Sequence, residues 1–389
     1  MKRARRLGSM LCLALSCAAQ MAWAVDEPKP EALLKEGSAQ ARKPLVQIAI
    51  LLDTSGSMKG LIDQAKTQLW KIVNEFITAK RKGQRPEVQV ALFEYGSGSI
   101  PAAQGFLRRI VPLTTDLDQV SEALFKMTTG GSEEYCGQVL QAATTDLAWS
   151  ASNDDLKTIF IAGNEPFTQG KVDYQAACKT AISKGILINT IFCGPFQEGV
   201  NTKWQDGANL ADGKYLNIEQ NRQAVHIVAP QDREIQELGG KLNSTYVAFG
   251  ARGEEAARRQ GDQDKLAMAA APSAALERAV SKGSANYKAE GWDLVDAVRG
   301  KTTDLAALKV EELPEEMKNL SEGERKAYVE TKSKERAEIQ GQIQKLNEER
   351  RKFLAEETNK RAEKGADSLE GAMLKAIREQ AEKKEFKFE

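Results

Sequence analysis

Leu45-Val46-Gln47-Ile48-Ala49-Ile50-Leu51-Leu52-Asp53-Thr54-Ser55-Gly56-Ser57 is the stretch that decides the fold. Its first eight residues form an almost unbroken apolar run. Runs of this kind belong to strands buried on both faces, as in a parallel sheet covered by helices. The run ends in a carboxylate and two hydroxyls spaced Asp-x-Ser-x-Ser. A carboxylate at a buried strand end needs a compensating cation or hydrogen bonds.

Working outward, four further strands are predicted: Val88–Phe93, Thr158–Ala162, Ile186–Cys193 and the weaker Lys214–Ile218. Between them, apolar residues recur every three to four positions. Leu61, Ala65, Leu69, Ile72, Val73 and Phe76 mark one helical face, and Leu117, Val120, Leu124 and Met127 another. Tyr135–Trp149 and Val172–Lys184 read the same way. Strands alternating with helices give right-handed βαβ crossovers, hence an α/β fold with a doubly wound, mostly parallel sheet. In such sheets ligands bind at the carboxyl ends of strands where the strand order reverses, and the Asp53 loop lies at such an end.

Oxygen donors alone suit a hard cation: Mg²⁺ foremost, with Mn²⁺ or Ca²⁺ as alternatives. Mg²⁺ keeps several waters and often takes a ligand from its partner. With these residues the chain resembles the von Willebrand factor A-type domain family over about residues 44–220. The resemblance implies a Rossmann-like sheet and a metal-ion-dependent adhesion site in which Asp53, Ser55 and Ser57 form the first loop. The family's second loop supplies a Thr hydroxyl after paired glycines. Here Gly130-Gly131-Ser132 takes that place, so Ser132 is the implied ligand, with Thr128 or Thr129 as substitutes. The family's third loop reads Asp-Gly, but this chain has Ile161-Ala162-Gly163-Asn164-Glu165-Pro166, with Gly163 in the Asp position. Asn164 or Glu165 is left to reach the metal or its waters. Glu134-Tyr135-Cys136-Gly137 and Asn189-Thr190-Ile191-Phe192-Cys193-Gly194 resemble a bacterial exported branch of the family, which implies a Cys136–Cys193 disulfide with Cys178 free.

The N-terminus fits export. Lys2, Arg3, Arg5 and Arg6 precede an apolar run from Leu7 to Ala19, and Ala22-Trp23-Ala24 has the small-x-small form of a cleavage site. Residues 1–24 therefore read as a signal peptide, which places the mature chain in the periplasm or outside the cell. The run is shorter than the roughly 20 residues a membrane span needs. Ala14-Leu15-Ser16 matches a lipid-attachment site at Cys17 poorly. Removing four positive charges from 55 leaves 51 against 55 acids, or −4. That balance excludes an electrostatic nucleic-acid binder.

The expected organisation is a flexible lead-in at 25–43, the α/β domain at 44–250, a helical extension at 251–312 and a charged helical tail at 313–389. Pro230–Leu242 reads as a helix, Thr245–Phe249 as a short strand and Trp292–Ala297 as a packed anchor. In the tail, Ile339, Ile343, Leu346, Arg350 and Phe353 form a short heptad-like seam. It serves either a helix folded back on the domain or a coiled coil for self-association.

His226 is the chain's one histidine, so no Ser/His/Asp or Cys/His constellation can be assembled. Gly239-Gly240-Lys241 lacks the spacing of a phosphate loop. The expected function is an exported binding module, not an enzyme, whose cation takes a carboxylate from a protein partner. The alternatives are an envelope scaffold assembling through its tail, and metal-assisted hydrolysis in which Asp53, Glu94, Glu133, Glu134 or Glu165 polarises a water.

Overall fold

The computed structural model describes residues 42–131, 133–218, 227–362 and 369–388. The leader, Ser132 and His226 lie outside them. The elements run β1 (Leu45–Asp53), α1 (Lys59–Glu75), β2 (Ala79–Lys80), β3 (Glu87–Tyr95), β4 (Leu107–Thr114), α2 (Leu117–Lys126), α3 (Cys136–Asp146), β5 (Leu156–Gly163) and α4 (Tyr174–Ser183). Then come β6 (Leu187–Phe192), α5 (Phe196–Asn201), α6 (Trp204–Asn209), β7 (Tyr215–Asn217), α7 (Asp232–Asn243), α8 (Gly253–Ala270), α9 (Pro272–Lys282), α10 (Leu294–Arg299), α11 (Glu322–Ala362), α12 (Leu369–Glu382) and β8 (Lys387–Phe388).

Six strands form one sheet in the order β4-β3-β1-β5-β6-β7. All neighbours are parallel except β3 and β4. The chain leaves β1 for β3 on one side and later returns to β5 on the other, so the order reverses around β1. Side chains of β1 alternate between faces, as a strand must. Ile48, Ile50 and Leu52 join α1, α2 and α12 on one face, while Ala49 and Leu51 join α3, α4 and α6 on the other. The five expected strands are all present. Strand β4 was missed because Arg108-Arg109 and Pro112 interrupt its apolar pattern, and these residues are exposed on the sheet edge. Thr245–Phe249 is not a strand: only an isolated bridge, Ala248 to Asp293, forms there.

Residues 43–389 pack as one compact unit, so the extension and the tail are part of the body. The seam of α11 packs inside the chain, as a helix folded back on the domain. Ile343 is fully buried against α7 and α9, with Ile339 and Leu346 beside it. Arg350, which occupies a seam position, reaches Asp232 and Glu277, each at 2.9 Å. Arg336 lies 4.2 Å from the Tyr246 ring, holds Asp293 and Asp296 at 2.5 and 2.7 Å, and donates to the Thr245 carbonyl at 2.6 Å. Helix α12 then covers the sheet. Met373, Ile377 and Ala381 enter the core on the α1 side, and Gln380 exchanges hydrogen bonds with Asn189 of β6. Strand β8 closes the chain against β2. No helix among the described residues is long and apolar enough to cross a membrane.

Candidate functional site

The site stands at the carboxyl ends of β1, β3 and β5. Asp53 ends β1 and is fully buried. Its Oδ1 accepts the Ser55 N–H at 2.7 Å, which turns the chain into a short 3₁₀ segment, Gly56–Met58, ahead of α1. The turn aims the Ser55 and Ser57 hydroxyls the same way, 3.2 Å apart. Ser55 is buried and Ser57 is exposed, so the loop runs from the sheet edge to the surface.

Two neighbouring loops are stitched to it through the main chain. The Gly130 N–H donates to the Thr54 carbonyl at 2.9 Å, the Gly56 N–H to Gly131 at 3.2 Å and the Gly98 N–H to Gly130 at 2.7 Å. Gly131 has φ +124°, and a Cβ there would fall 2.2 Å from the Gly98 nitrogen. Only glycine fits this crossing.

Asn164 is brought to the loop: its amide lies 3.3 Å from the Ser57 hydroxyl. Glu165 makes no hydrogen bond to the loop among the described residues. Burial, followed by repulsion from Glu134 and Glu198, raises its carboxyl above the usual range. Thr128 and Thr129 form no hydrogen bond to the loop, and Ser132 lies outside the described residues. Gly163 lies against Asp53, and a Cβ there would meet the Tyr95 hydroxyl at 2.5 Å and Asp53 Oδ2 at 3.1 Å. That hydroxyl is fixed by donating to the Ala162 carbonyl at 2.8 Å. Tyr95 therefore fills the space that a side chain on the third loop would need.

The residue that sequence reasoning underrated is Glu134. It is 2% exposed and lies within hydrogen-bonding reach of Asp53 and Ser55. Its carboxyl is pushed up to about 9, first by burial and then by the Asp53 carboxylate beside it. Asp53 is also raised by burial, a shift that the hydrogen bonds from Glu134 and Ser55 oppose. Asp53 Oδ2 and Glu134 Oε2 are both buried with no donor beyond a proton the two carboxyls would share, and neither acid has an ion pair among the described residues. Two such carboxylates share a proton or bind an external cation. The signal in the sequence was an acid three residues after the glycine pair and two before a helix.

Glu94, another candidate acid, pairs with Arg108 instead, while burial raises its carboxyl. The expected Cys136–Cys193 disulfide is not formed. Cys136, Cys178 and Cys193 are free and buried, with Cys136 in the core on the α3 side of the sheet and Cys193 in the core on the α1 side. The sheet itself separates the pair. No group of three or more His, Cys, Asp or Glu side chains that could hold a metal occurs among the described residues, so any cation here would depend on hydroxyl and water ligands as well.

Fold and site together define an open α/β domain with an oxygen-donor loop at the reversal of strand order. Residues 47–225, just under half of the chain, match the family model of the von Willebrand factor type A domain. Similar solved structures include BatB from Bacteroides thetaiotaomicron, at 15% identity over 44% of this chain and 90% of that one, with a TM-score of 0.34. The SpRpn10 domain of the same type is 16% identical over 46% of this chain and 90% of that one, with a TM-score of 0.35. The pilus adhesin SpaC from Lactobacillus rhamnosus GG, in its open conformation, is 17% identical over 46% of this chain and 28% of that one, with a TM-score of 0.34. No curated protein matches the chain.

Proposed function

We propose that the protein is an exported binding module whose Asp53 loop holds a divalent cation, Mg²⁺ first among the candidates, for capture of an acidic group on a partner protein. The observation that carries this reading is the buried Asp53 Oδ2, which has no donor from elsewhere in the protein, beside the hydroxyls of buried Ser55 and exposed Ser57. Asp53, Ser55 and Ser57 would hold the ion, with Asn164 beside Ser57 supporting its outer waters. The ion would supply the positive charge that the site lacks and an open position for a carboxylate. Export rests on the leader at residues 1–24.

Calorimetric titration with Mg²⁺ and Mn²⁺, repeated on Asp53→Ala, tests the reading. The intact chain should bind and the variant should not; equal responses from both would end the metal assignment. A pull-down from envelope extract should recover a partner that chelator releases.

A further inference from the structure

Resting on the reading that the Asp53 loop binds a divalent cation, we infer that Glu134 is the second carboxylate ligand of this site. It is contributed by the second loop in place of the acid that the third loop lacks.

Three observations carry the inference. The third loop is sterically closed to an acid at Gly163, because the Tyr95 hydroxyl and Asp53 Oδ2 occupy the space a side chain would take. Glu134 is buried beside Asp53, and its Oε2 has no donor from elsewhere in the protein. The backbone is also shaped to put it there. Gly96 has φ +78°, and a Cβ on it would lie 2.8 Å from Asp53 Oδ1 and 3.0 Å from Glu134 Cγ, so the two acids converge over a residue with no side chain. The Glu134 N–H is tied to Gln169 Oε1 at 2.7 Å, and Gly170 packs its bare Cα against the Tyr135 ring. The third loop has thus given up its own acid and become a clamp that orients the acid of the second.

Two buried carboxylates match the charge of one divalent ion, whereas Asp53 alone leaves it half balanced. A site with Glu134 as ligand binds without needing the partner's acid, and the partner then exchanges with water at an ion that is already neutralised. Glu165, further out and half-buried, contributes charge at longer range only.

The test is Mn²⁺ binding by the purified chain, read by calorimetry and by the spin-resonance spectrum of the bound ion. The thermal midpoint in chelator checks folding. Because affinity at oxygen sites follows the count of charged ligands, Glu134→Gln should weaken binding by about tenfold or more. It should also alter the spectrum of the ion that still binds, with the fold intact. Glu165→Gln should have a smaller effect, Glu133→Gln none, and Asp53→Ala should abolish binding. If Glu134→Gln binds like the parent while Asp53→Ala does not, the metal loop stands and Glu134 is not its ligand. Equal losses from Glu134→Gln and Glu165→Gln would reduce the effect to distant charge and overturn the inference. If the parent chain binds no Mn²⁺, the metal reading and this inference fall together.

Discussion

Two regions of this molecule bury carboxylates, and they treat them in opposite ways. Beneath the C-terminal helices buried acids sit on arginines: Arg336 holds Asp293 and Asp296, Arg350 holds Asp232 and Glu277, and Arg278 holds Asp118 together with the partly exposed Asp264. At the carboxyl edge of the sheet, Asp53 and Glu134 face each other with no cation from the protein among the described residues. Burying an unpaired charge costs several kcal/mol, so the second arrangement persists only with a proton or an ion from solution. The difference separates acids paired within the fold from acids whose charge the described residues leave unpaired.

Removing the source of the arginines should break the comparison most severely. Truncation after residue 312 strips Arg336 and Arg350 from their acids and uncovers the faces of α7 and α9. The expected outcome is loss of the cooperative transition in a circular-dichroism melt; a native-like melt would make the tail an appendage. Arg336→Ala leaves Asp293 and Asp296 buried without their cation and should cost about 3–5 kcal/mol in urea denaturation. A cost near zero would mean that this region does not depend on its pairing.

The site end responds to pH instead. Glu134, lifted from 4.5 to about 9 by burial and by Asp53, holds its proton more tightly folded than unfolded. That contribution is complete below pH 4.5 and is lost as the pH rises toward 9, so metal-free stability should fall across this window. Glu134→Gln should flatten the profile measured in chelator; an unchanged slope would place the titration elsewhere. The smallest effect is expected at the surface. Lys352 and Glu348 pair at 2.8 Å on the exposed face of α11, and Lys352→Ala should leave the denaturation midpoint where it was.

Much of this was legible beforehand. The apolar run before Asp53 announced a central parallel strand, and its amphipathic neighbours announced the helices on either side. Strand β4 escaped because an exposed edge strand tolerates charge and proline, the features that hide it in a pattern search. The tail escaped in part because its binding residues are arginines. Arg350 was legible only as a seam position and Arg336 not at all, and their burial comes from their placement over paired acids. Glu134 was visible as one of several acids near the loop but not as a candidate ligand, since its position depends on the crossing of Gly96, Gly98 and Gly131. What crowds the third loop at Gly163, a tyrosine hydroxyl from another strand, lies 68 residues earlier in the chain and leaves no local mark in the sequence.

Edge strand β4 also limits how this protein can be bound. An open sheet invites a guest strand wherever its rim offers free amides and carbonyls. Here the β4 rim carries Arg108 and Arg109 facing solvent and Pro112, which has no amide to give, while β7 at the opposite rim is three residues long. The sheet is thus guarded against extension by an incoming chain, including a second copy of itself. The cation site proposed above lies on neither rim: it stands among loops at the carboxyl ends of the strands, beside Ser57 and Asn164.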